Sequence, residues 1–286
     1  MSPAREEPST GATGSAKERL DRFWDASRSY YEQAAASNPE ASPERQLLFS
    51  HLASGDRVLD LGSGSCENAL WLPEDTRYWG TDVSTAALLM AGEKSRPGGR
   101  VRSDGESLPF ADGAFDAVLS TWALEHFHEP GRTLLEAARV VRPGGLMLIV
   151  GSAWDLPYDL PPSLSPARRV AIALRRLLRQ VRSLVGGPHV FEVVAEPLVL
   201  SEGYVPDADA VHVAQSWRLQ RFLEAAGLEI VEMRCLAHRP DPSGPRGWLR
   251  AALRRVPWWR RGWGATLFIA RRGDHLIRPP YRLLPL

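Results

Sequence analysis

Residues 57–68 read RVLDLGSGSCEN, a short apolar strand followed by a glycine turn and the start of a helix. Glycines in such a turn let the backbone approach a ligand closely, and the open amides of a helix start favour a negative group. A phosphate-binding P-loop is excluded because no Gly-Lys-Ser/Thr follows. The dinucleotide pattern G-x-G-x-x-G also fails, because Glu67 at the sixth position would put a carboxylate beside a pyrophosphate.

Strand and helix patterns alternate on both sides of this turn, which predicts βαβ units and a parallel sheet. The predicted strands cover residues 57–61, 77–81, 100–103, 115–120, 146–150, 228–233 and 265–270. The predicted helices between them cover residues 67–72, 86–94, 133–141 and 216–226. Two further helices, over residues 16–36 and 44–52, are predicted to precede the sheet.

Carboxylates follow the strands at the points where they end. Asp82 closes the second strand, 22 residues after Asp60, the position from which a carboxylate accepts hydrogen bonds from ribose hydroxyls. Asp104 ends the third strand, where it can accept the exocyclic amine of an adenine. All three lie near the carboxyl edge of the sheet, where open α/β sheets bind ligands. This acidic edge suits a ligand with a nucleoside and a cation, such as an ammonium and a sulfonium, but no phosphate.

With these features the chain resembles the class I S-adenosylmethionine-dependent methyltransferases, especially the group that acts on small molecules. The resemblance is carried by four phrases in order: VLDLGSGS (58–65), GTDVS (80–84), SDGESLPFADGAFDAVLSTWALEHFHEP (103–130) and LLEAARVVRPGGLMLIV (134–150). It implies a Rossmann-like α/β fold, with a seven-stranded, mostly parallel sheet of order 3-2-1-4-5-7-6 and helices on both faces. The seventh strand is implied to be antiparallel.

The resemblance also implies a cofactor, S-adenosyl-L-methionine, and eight residues that contact it. They divide by the part of the cofactor: Asp60, Gly62 and Gly64 for the methionine, Asp82 for the ribose, Asp104 and Gly105 for the adenine, Ser120 and Trp122 for the sulfonium. The chain departs from the family at Cys66, where the family often has a third glycine. We interpret Cys66 as a small packed residue rather than a reactive thiol.

A histidine-rich run, EHFHE (125–129), follows the fourth predicted strand. A histidine with a pKa near neutral can take a hydroxyl proton as a methyl group transfers, so His126 is the candidate catalytic base. The competing interpretation of His126 is a structural or positioning role. LEH (124–126) is part of the resemblance to the family irrespective of the substrate, which does not point to a substrate-specific base. No spacing of His, Cys and carboxylate residues matches a strong metal motif, so no metal is predicted.

Residues 151–215 separate the fifth strand from the next helix and are predicted to form a substrate lid. Methyl transfer needs alignment and exclusion of water more than it needs a strong catalyst, and a lid supplies both. Four aromatic side chains are the candidate acceptor contacts: Tyr30, Trp154, Tyr158 and Tyr204. The whole chain is predicted to divide into four parts: a disordered leader (1–16), an N-terminal helical cap (17–43), the methyltransferase domain (44–272), which contains the lid, and a C-terminal tail (273–286).

Composition limits the class of protein. Of 286 residues, 44% are hydrophobic and 24% charged, as in soluble globular proteins. The apolar runs fall short of the roughly 18 residues that a spanning helix needs, and the polar N-terminus has no signal-peptide core, so a cytoplasmic location is predicted. With only Cys66 and Cys235, neither a four-thiolate zinc site nor a disulfide framework is expected.

Charge is segregated although the formal net charge is only +1. Residues 1–164 hold 15 basic and 24 acidic residues, and residues 165–286 hold 20 and 10. Residues 165–185 form a predicted basic amphipathic helix, and residues 246–263 hold four Trp and six Arg. Peripheral contact with the inner face of a membrane is one interpretation. A second is a lid helix that packs its apolar face on the domain and leaves its arginines in water. A third is contact with an anionic soluble substrate or nucleic acid.

These observations predict a methyltransferase that transfers a methyl group from S-adenosylmethionine to a small-molecule, glycan or lipid-linked acceptor. O-methylation is favoured over methylation at nitrogen or carbon. The alternative is a non-catalytic partner or regulatory subunit that binds S-adenosylmethionine. No nucleic-acid-binding module is recognisable, so nucleic acid is not the predicted partner.

Overall fold

The computed structural model describes residues 16–37, 43–92, 98–152, 154–155, 160, 166–183, 189–194, 197, 207–213, 215–236 and 265–286. Its helices are α1 (Ala16–Ala26), α2 (Arg28–Ser37), α3 (Pro43–Phe49), α4 (Thr85–Met90), α5 (Pro130–Val140), α6 (Pro166–Ser183) and α7 (Ser216–Ala225). Its strands are β1 (Arg57–Leu61), β2 (Arg77–Asp82), β3 (Gly98–Arg102), β4 (Phe115–Thr121), β5 (Val141–Ser152), β6 (His189–Val193), β7 (His212–Val213), β8 (Leu228–Leu236), β9 (Ala265–Arg272) and β10 (Tyr281–Pro285).

The main sheet has seven strands in the order β3-β2-β1-β4-β5-β9-β8. The pairs from β3 to β5 are parallel, and β9 is antiparallel to both of its neighbours. Counted within this sheet alone, the order is 3-2-1-4-5-7-6, which confirms the predicted Rossmann-like architecture. All seven predicted strands are therefore present.

The central strands are apolar along their length because helices cover both faces of the sheet. In β4, Ala117 and Leu119 pack into the core on the side of α3 and α4, while Val118 between them packs on the side of α5 and α7. This alternation follows from the two-residue period of a strand. The two cores hold β1 and β4 rigidly at the centre, so the loops at their carboxyl ends have fixed starting points.

Several element boundaries differ from the sequence prediction. The single helix expected over residues 16–36 is interrupted at Ser27 and forms α1 and α2. The helix expected over 67–72 is a short 3-10 helix, Glu67–Leu70. The third helix of the sheet region, α5, begins at Pro130 rather than 133, because proline is well suited to the first turn, where its missing N–H is not needed.

A second sheet, which the sequence pattern did not reveal, has the order β10-β6-β7. Its middle strand β6 lies in the segment predicted as the lid, and β10 lies in the segment predicted as a tail. The Tyr281 hydroxyl of β10 donates to Glu129 at 2.8 Å, and its ring packs edge-on against Phe191 and Phe222. The C-terminal strand therefore ties the lid region to the main domain.

The orientation of α6 is the reverse of the packed-lid interpretation. Arg176 points inward and is fully buried, and its Nε donates to Glu192 of β6 at 2.7 Å. Glu192 is also buried and lies 3.3 Å from Arg179 and 3.9 Å from Arg218. The expectation that all arginines of α6 lie in water and its leucines lie against the domain is wrong, because the buried Glu192 draws Arg176 and Arg179 inward.

We expect Glu192→Gln to destabilise the protein by about 3–5 kcal/mol, since Arg176 would remain buried without a counter-charge. Glu229→Gln is the matched control, because Glu229 and its partner Arg271 are 68% and 47% exposed and their pair contributes less than about 1 kcal/mol. The measurement is the free energy of unfolding in urea. If Glu192→Gln lowered the free energy of unfolding no more than Glu229→Gln does, Glu192 would not be the counter-charge that the buried Arg176 requires.

Cys66 and Gly80 fit together behind the glycine turn. Cys66 is buried, and its backbone is left-handed, with φ 59°, where glycine is usually favoured. A Cβ at Gly80 would lie 2.6 Å from the Cys66 sulfur and 2.9 Å from the Ser63 hydroxyl. The absence of a side chain at Gly80 therefore makes room for a thiol at Cys66. Burial raises the pKa of this thiol, which does not suit a reactive cysteine.

We expect Gly80→Ala to destabilise the protein by about 1–3 kcal/mol, because it overpacks the space that the Cys66 sulfur fills. In a Cys66→Gly background the same substitution should cost at least about 0.5 kcal/mol less, since the sulfur is gone. A double-mutant cycle of unfolding free energies measures this difference. If the two substitutions changed the unfolding free energy in a strictly additive way, the contact between Gly80 and the Cys66 sulfur would not be the cause of the destabilisation.

Candidate functional site

The glycine turn after β1 forms the floor of a cleft at the carboxyl edge of the sheet. The amides of Gly62 and Ser63 both donate to the carbonyl of Thr81 in β2, at 2.9 and 3.0 Å, so the turn folds back over the neighbouring strand. Gly62 has φ 71°, and a Cβ there would lie 2.5 Å from that of Ala123. Only glycine allows this close approach, which brings the turn against the segment that follows β4.

Asp82 lies on the wall of this cleft, at the end of β2. One carboxylate oxygen accepts from the amide of Gly64 and the other from the amide of Ser84, each at 2.9 Å. Burial raises the pKa of Asp82, and the two amide hydrogen bonds oppose that rise. The Tyr31 hydroxyl is a third hydrogen-bond partner, so the carboxylate is fixed in place and keeps a lone pair that can accept a hydrogen bond from a ligand.

Asp104 follows β3 and lies on the same wall. Lys17 of α1 forms ion pairs with Asp104 and, at 3.0 Å, with Glu106. Burial would raise the pKa of Asp104, but the hydrogen bonds from Lys17 and from the Glu106 amide, together with the charge of Lys17, outweigh it and the pKa is lowered. Asp104 is therefore held as a carboxylate, and the N-terminal helix forms part of the site.

The structure does not place Asp60 and Ser120 on the cleft wall. Asp60 is fully buried beneath the turn and accepts hydrogen bonds from Tyr78 at 2.7 Å and Asn68 at 3.0 Å. Burial raises the pKa of Asp60 to about 6. Ser120 is buried within β4. Asp60 thus supports the loop from below through Asn68, which itself lines the cleft.

Trp122 and Gly105 line the cleft, as do Gly62 and Gly64. Trp122 has a left-handed backbone, with φ 55°, and its amide donates to Val150 at 2.8 Å. Such a conformation is uncommon for a bulky residue and is often found at functional sites. A Cβ at Gly105 would lie 2.8 Å from the ring of Phe127, so glycine lets this ring close one side of the cleft.

His126 lies on the cleft wall, beside a carboxylate that the sequence analysis did not single out. Its Nδ1 is 3.5 Å from a carboxylate oxygen of Asp209, and that oxygen accepts hydrogen bonds from Tyr30 at 2.9 Å and Trp24 at 3.2 Å. Burial alone would lower the pKa of His126, but the negative charges of Asp209, Glu125 and Asp207 outweigh it and raise the pKa. The arrangement resembles a base oriented by a buried acid.

Of the four candidate acceptor contacts, the structure describes Tyr30 and Trp154, and these two line different cavities. Tyr30 lines the cleft, and its ring packs edge-on against Tyr31 at a centroid distance of 5.2 Å. Trp154 lines a second, smaller cavity beside Leu124 and Leu219. Tyr158 and Tyr204 lie outside the described residues.

Several cleft residues were missed by the sequence analysis, among them Lys17, Arg45 and Asn68. Asn68 lies six residues after Gly62, inside the quoted turn, so its position was a usable signal. Lys17, Arg45 and Asp209 are distant in sequence and carry no local pattern. Among the described residues, no group of three or more His, Cys, Asp or Glu is placed to hold a metal ion. None of the described helices is both long and apolar enough to cross a membrane.

Part of this chain is similar in sequence to known methyltransferases. The profile of a family described as "Methyltransferase domain" matches residues 59–149. An uncharacterized methyltransferase of Mycobacterium sp. (strain JLS) is 39% identical over 106 residues, 36% of this chain and 42% of the relative. Demethylmenaquinone methyltransferase of Corynebacterium glutamicum (strain R) is 36% identical over 148 residues, 51% of this chain and 61% of the relative. The matches thus span about half the length of these relatives.

Solved structures share the fold over most of the chain. The [4+2]-cyclase SpnF has a TM-score of 0.56 at 18% identity and covers 93% of this chain and 100% of its own. The second structure is a 1,6-didemethyltoxoflavin-N1-methyltransferase of Burkholderia thailandensis with 1,6-didemethyltoxoflavin and S-adenosylhomocysteine bound. Its TM-score is 0.52 at 19% identity, and the match covers 93% of this chain and 94% of that protein. The domain match, the sheet order and the glycine turn together identify residues 59–149 as part of a methyltransferase domain of the class I S-adenosylmethionine-dependent type.

Proposed function

We propose that this chain binds S-adenosylmethionine and transfers its methyl group to a small organic acceptor. The observation that carries the proposal is the juxtaposition of the glycine turn, Asp82 and Asp104 on one cleft, with His126 on the same wall. We place this activity in residues 44–272, with residues 17–43 as the helical cap and 151–215 as the lid. Because α1 contributes Lys17, the cap is part of the proposed site rather than a separate unit.

The residues present fit this cofactor. Five carboxylates but only two Lys or Arg side chains line the cleft, which favours a cationic ligand: Asp21, Glu67, Asp82, Asp104 and Glu106 against Lys17 and Arg45. Asp82 offers acceptors for ribose hydroxyls, and Asp104 offers one for an adenine amine. Gly62 and Gly64 allow the backbone to lie against the methionine portion, while Asp60 acts from beneath the turn.

When bound, the cofactor supplies an electrophilic methyl group on a sulfonium. The side chains of this chain then have two tasks: to exclude water and to accept the proton that the acceptor gives up. Trp24, Tyr30 and Trp122 supply aromatic walls for the first task. His126 is the proposed base for the second, with its imidazole oriented by Asp209.

The aromatic walls favour a flat organic acceptor, which can pack against the ring faces. Two proteins similar to this chain have organic acceptors in their names, demethylmenaquinone and 1,6-didemethyltoxoflavin. We propose an acceptor of that class and, because a histidine base suits a hydroxyl, methylation at oxygen. A glycan or lipid-linked acceptor is the other class that the sequence analysis predicts, and the aromatic walls do not argue for it.

Replacing Asp82 with Ala should weaken the binding of S-adenosylmethionine by about 1–3 kcal/mol, roughly 5- to 150-fold in Kd, because ribose hydroxyls would lose a fixed acceptor. Asp274→Ala, an exposed aspartate outside the cleft, is the matched control. Calorimetric titration with S-adenosylmethionine and S-adenosylhomocysteine measures both, with NAD and ATP as ligand controls. An unchanged Kd in Asp82→Ala would refute the ribose assignment.

Turnover is tested separately from binding. Formation of S-adenosylhomocysteine that depends on an added acceptor, in a screen of phenols, quinols and heteroaromatic compounds, is expected of an enzyme. Tight cofactor binding without turnover on any of them would favour the non-catalytic partner instead.

The rate should rise with pH through the raised pKa of His126, since only the neutral imidazole accepts a proton. Asp209→Asn removes a negative charge that favours the imidazolium, so the pKa of His126 should fall and the acidic limb should move to lower pH. The maximal rate should also fall about tenfold or more, because the ring loses its orienting partner. Histidine NMR titration, together with rates measured across pH, tests this, and Asp274→Asn is the control. A pH profile unmoved by Asp209→Asn would exclude His126 as the base.

A further inference from the structure

The outward face of α6 is apolar. Val170, Leu174, Leu177, Leu178 and Val181 are between 37% and 65% exposed. At 100° per residue they lie within an arc about 100° wide, so they form one continuous stripe along the helix. We call these five residues the α6 stripe. Exposed apolar side chains that form a contiguous stripe usually mark an interaction site.

The inner face of α6 fixes this orientation. Arg176 donates to Glu192 and to the carbonyl of Trp154, and Gln180 donates to the carbonyl of Asp155 at 2.8 Å. Ile172 is buried on the same side. A rotation that buried the α6 stripe would strand Glu192 and Arg176 in an apolar interior. The α6 stripe therefore stays outside while these contacts hold.

Charge indicates what the α6 stripe contacts. The helix contains six arginines and no acidic residue. Arg168 and Arg175 are exposed and border the stripe on one side. Arg169, half-buried, lies beyond its other edge. An aliphatic stripe flanked by arginines is the pattern of a helix that lies in the interface of an anionic membrane.

We propose that α6 docks this protein on the surface of an anionic phospholipid bilayer, with the α6 stripe in the acyl boundary and the flanking arginines at the headgroups. A second copy of the chain fits less well, because a symmetric pair of α6 helices would bring arginine-rich flanks together with no carboxylate on either helix. The contact is interfacial rather than spanning, since α6 carries too much charge to cross a bilayer.

The surface is connected to the proposed catalytic cleft. Glu192, which holds α6, lies in β6, and β6 pairs with β7. Just before β7, the amide of Val211 donates to the carbonyl of Glu125 at 2.8 Å, next to His126. Docking of α6 is thus linked through β6 and β7 to the segment that carries His126. The docking itself does not depend on the proposed methyl transfer.

The experiment is sedimentation of the full chain with vesicles of phosphatidylcholine, with and without phosphatidylglycerol, in the absence of cofactor and acceptor. The intact protein is expected to sediment with the anionic vesicles and much less with the neutral ones. Leu174→Glu/Leu178→Glu should reduce partitioning at least about tenfold, and Arg168→Glu/Arg175→Glu by a similar factor. Leu89→Glu, at a leucine of α4 that is 73% exposed, is the matched control and should bind as the intact protein does.

All four substituted positions on α6 are exposed, so the variants should keep the unfolding midpoint of the intact protein. Failure of the intact protein to bind anionic vesicles would overturn the proposal. Binding by Leu174→Glu/Leu178→Glu equal to that of the Leu89→Glu control would overturn it as well. Self-association that these glutamates abolish, without vesicle binding, would assign the α6 stripe to a contact between copies. Cofactor affinity, measured apart, reports on the proposed function and is expected to be the same in every variant.

Discussion

The close approach of Gly62 to Ala123 is the constraint on which the cleft depends. The turn after β1 is held by two amide hydrogen bonds to Thr81 on one side and by contact with the segment after β4 on the other. This places the Gly64 amide where Asp82 can accept from it, so the carboxylate and the turn fix each other. Because β1, β2 and β4 are neighbours in the sheet, a change at Gly62 would move the whole wall of the site.

Buried charge decides the geometry away from this turn. Asp60 beneath the turn, Asp209 beside His126 and Glu192 beneath α6 each bind two or more side chains that reach them from other elements. A buried carboxylate without such partners would be costly, so each one specifies which elements pack around it. In this protein the buried acids fix how elements pack around the site and how α6 is oriented.

Most of the main sheet could be predicted because each of its strands has a local pattern. A buried parallel strand is a short apolar run bounded by turn residues, and this pattern needs no knowledge of the partner strand. The second sheet could not be predicted in this way, since β6, β7 and β10 are short and come from distant parts of the chain. For the same reason the pairing of Lys17 with Asp104 has no local signal.

The sequence by itself determined the sheet order, through motifs of a known family, and the placement of Gly62, Gly64, Asp82 and Asp104 at its carboxyl edge. Strand ends and glycine turns are local features, and the fold brings them together in only one way. Only the tertiary structure decided that Asp60 lies beneath the turn, that Asp209 faces His126 and that α6 turns its leucines outward. Helical periodicity separates a polar from an apolar face, but the face that is buried depends on the partner. Here that partner is Glu192, whose charge must be compensated inside the protein.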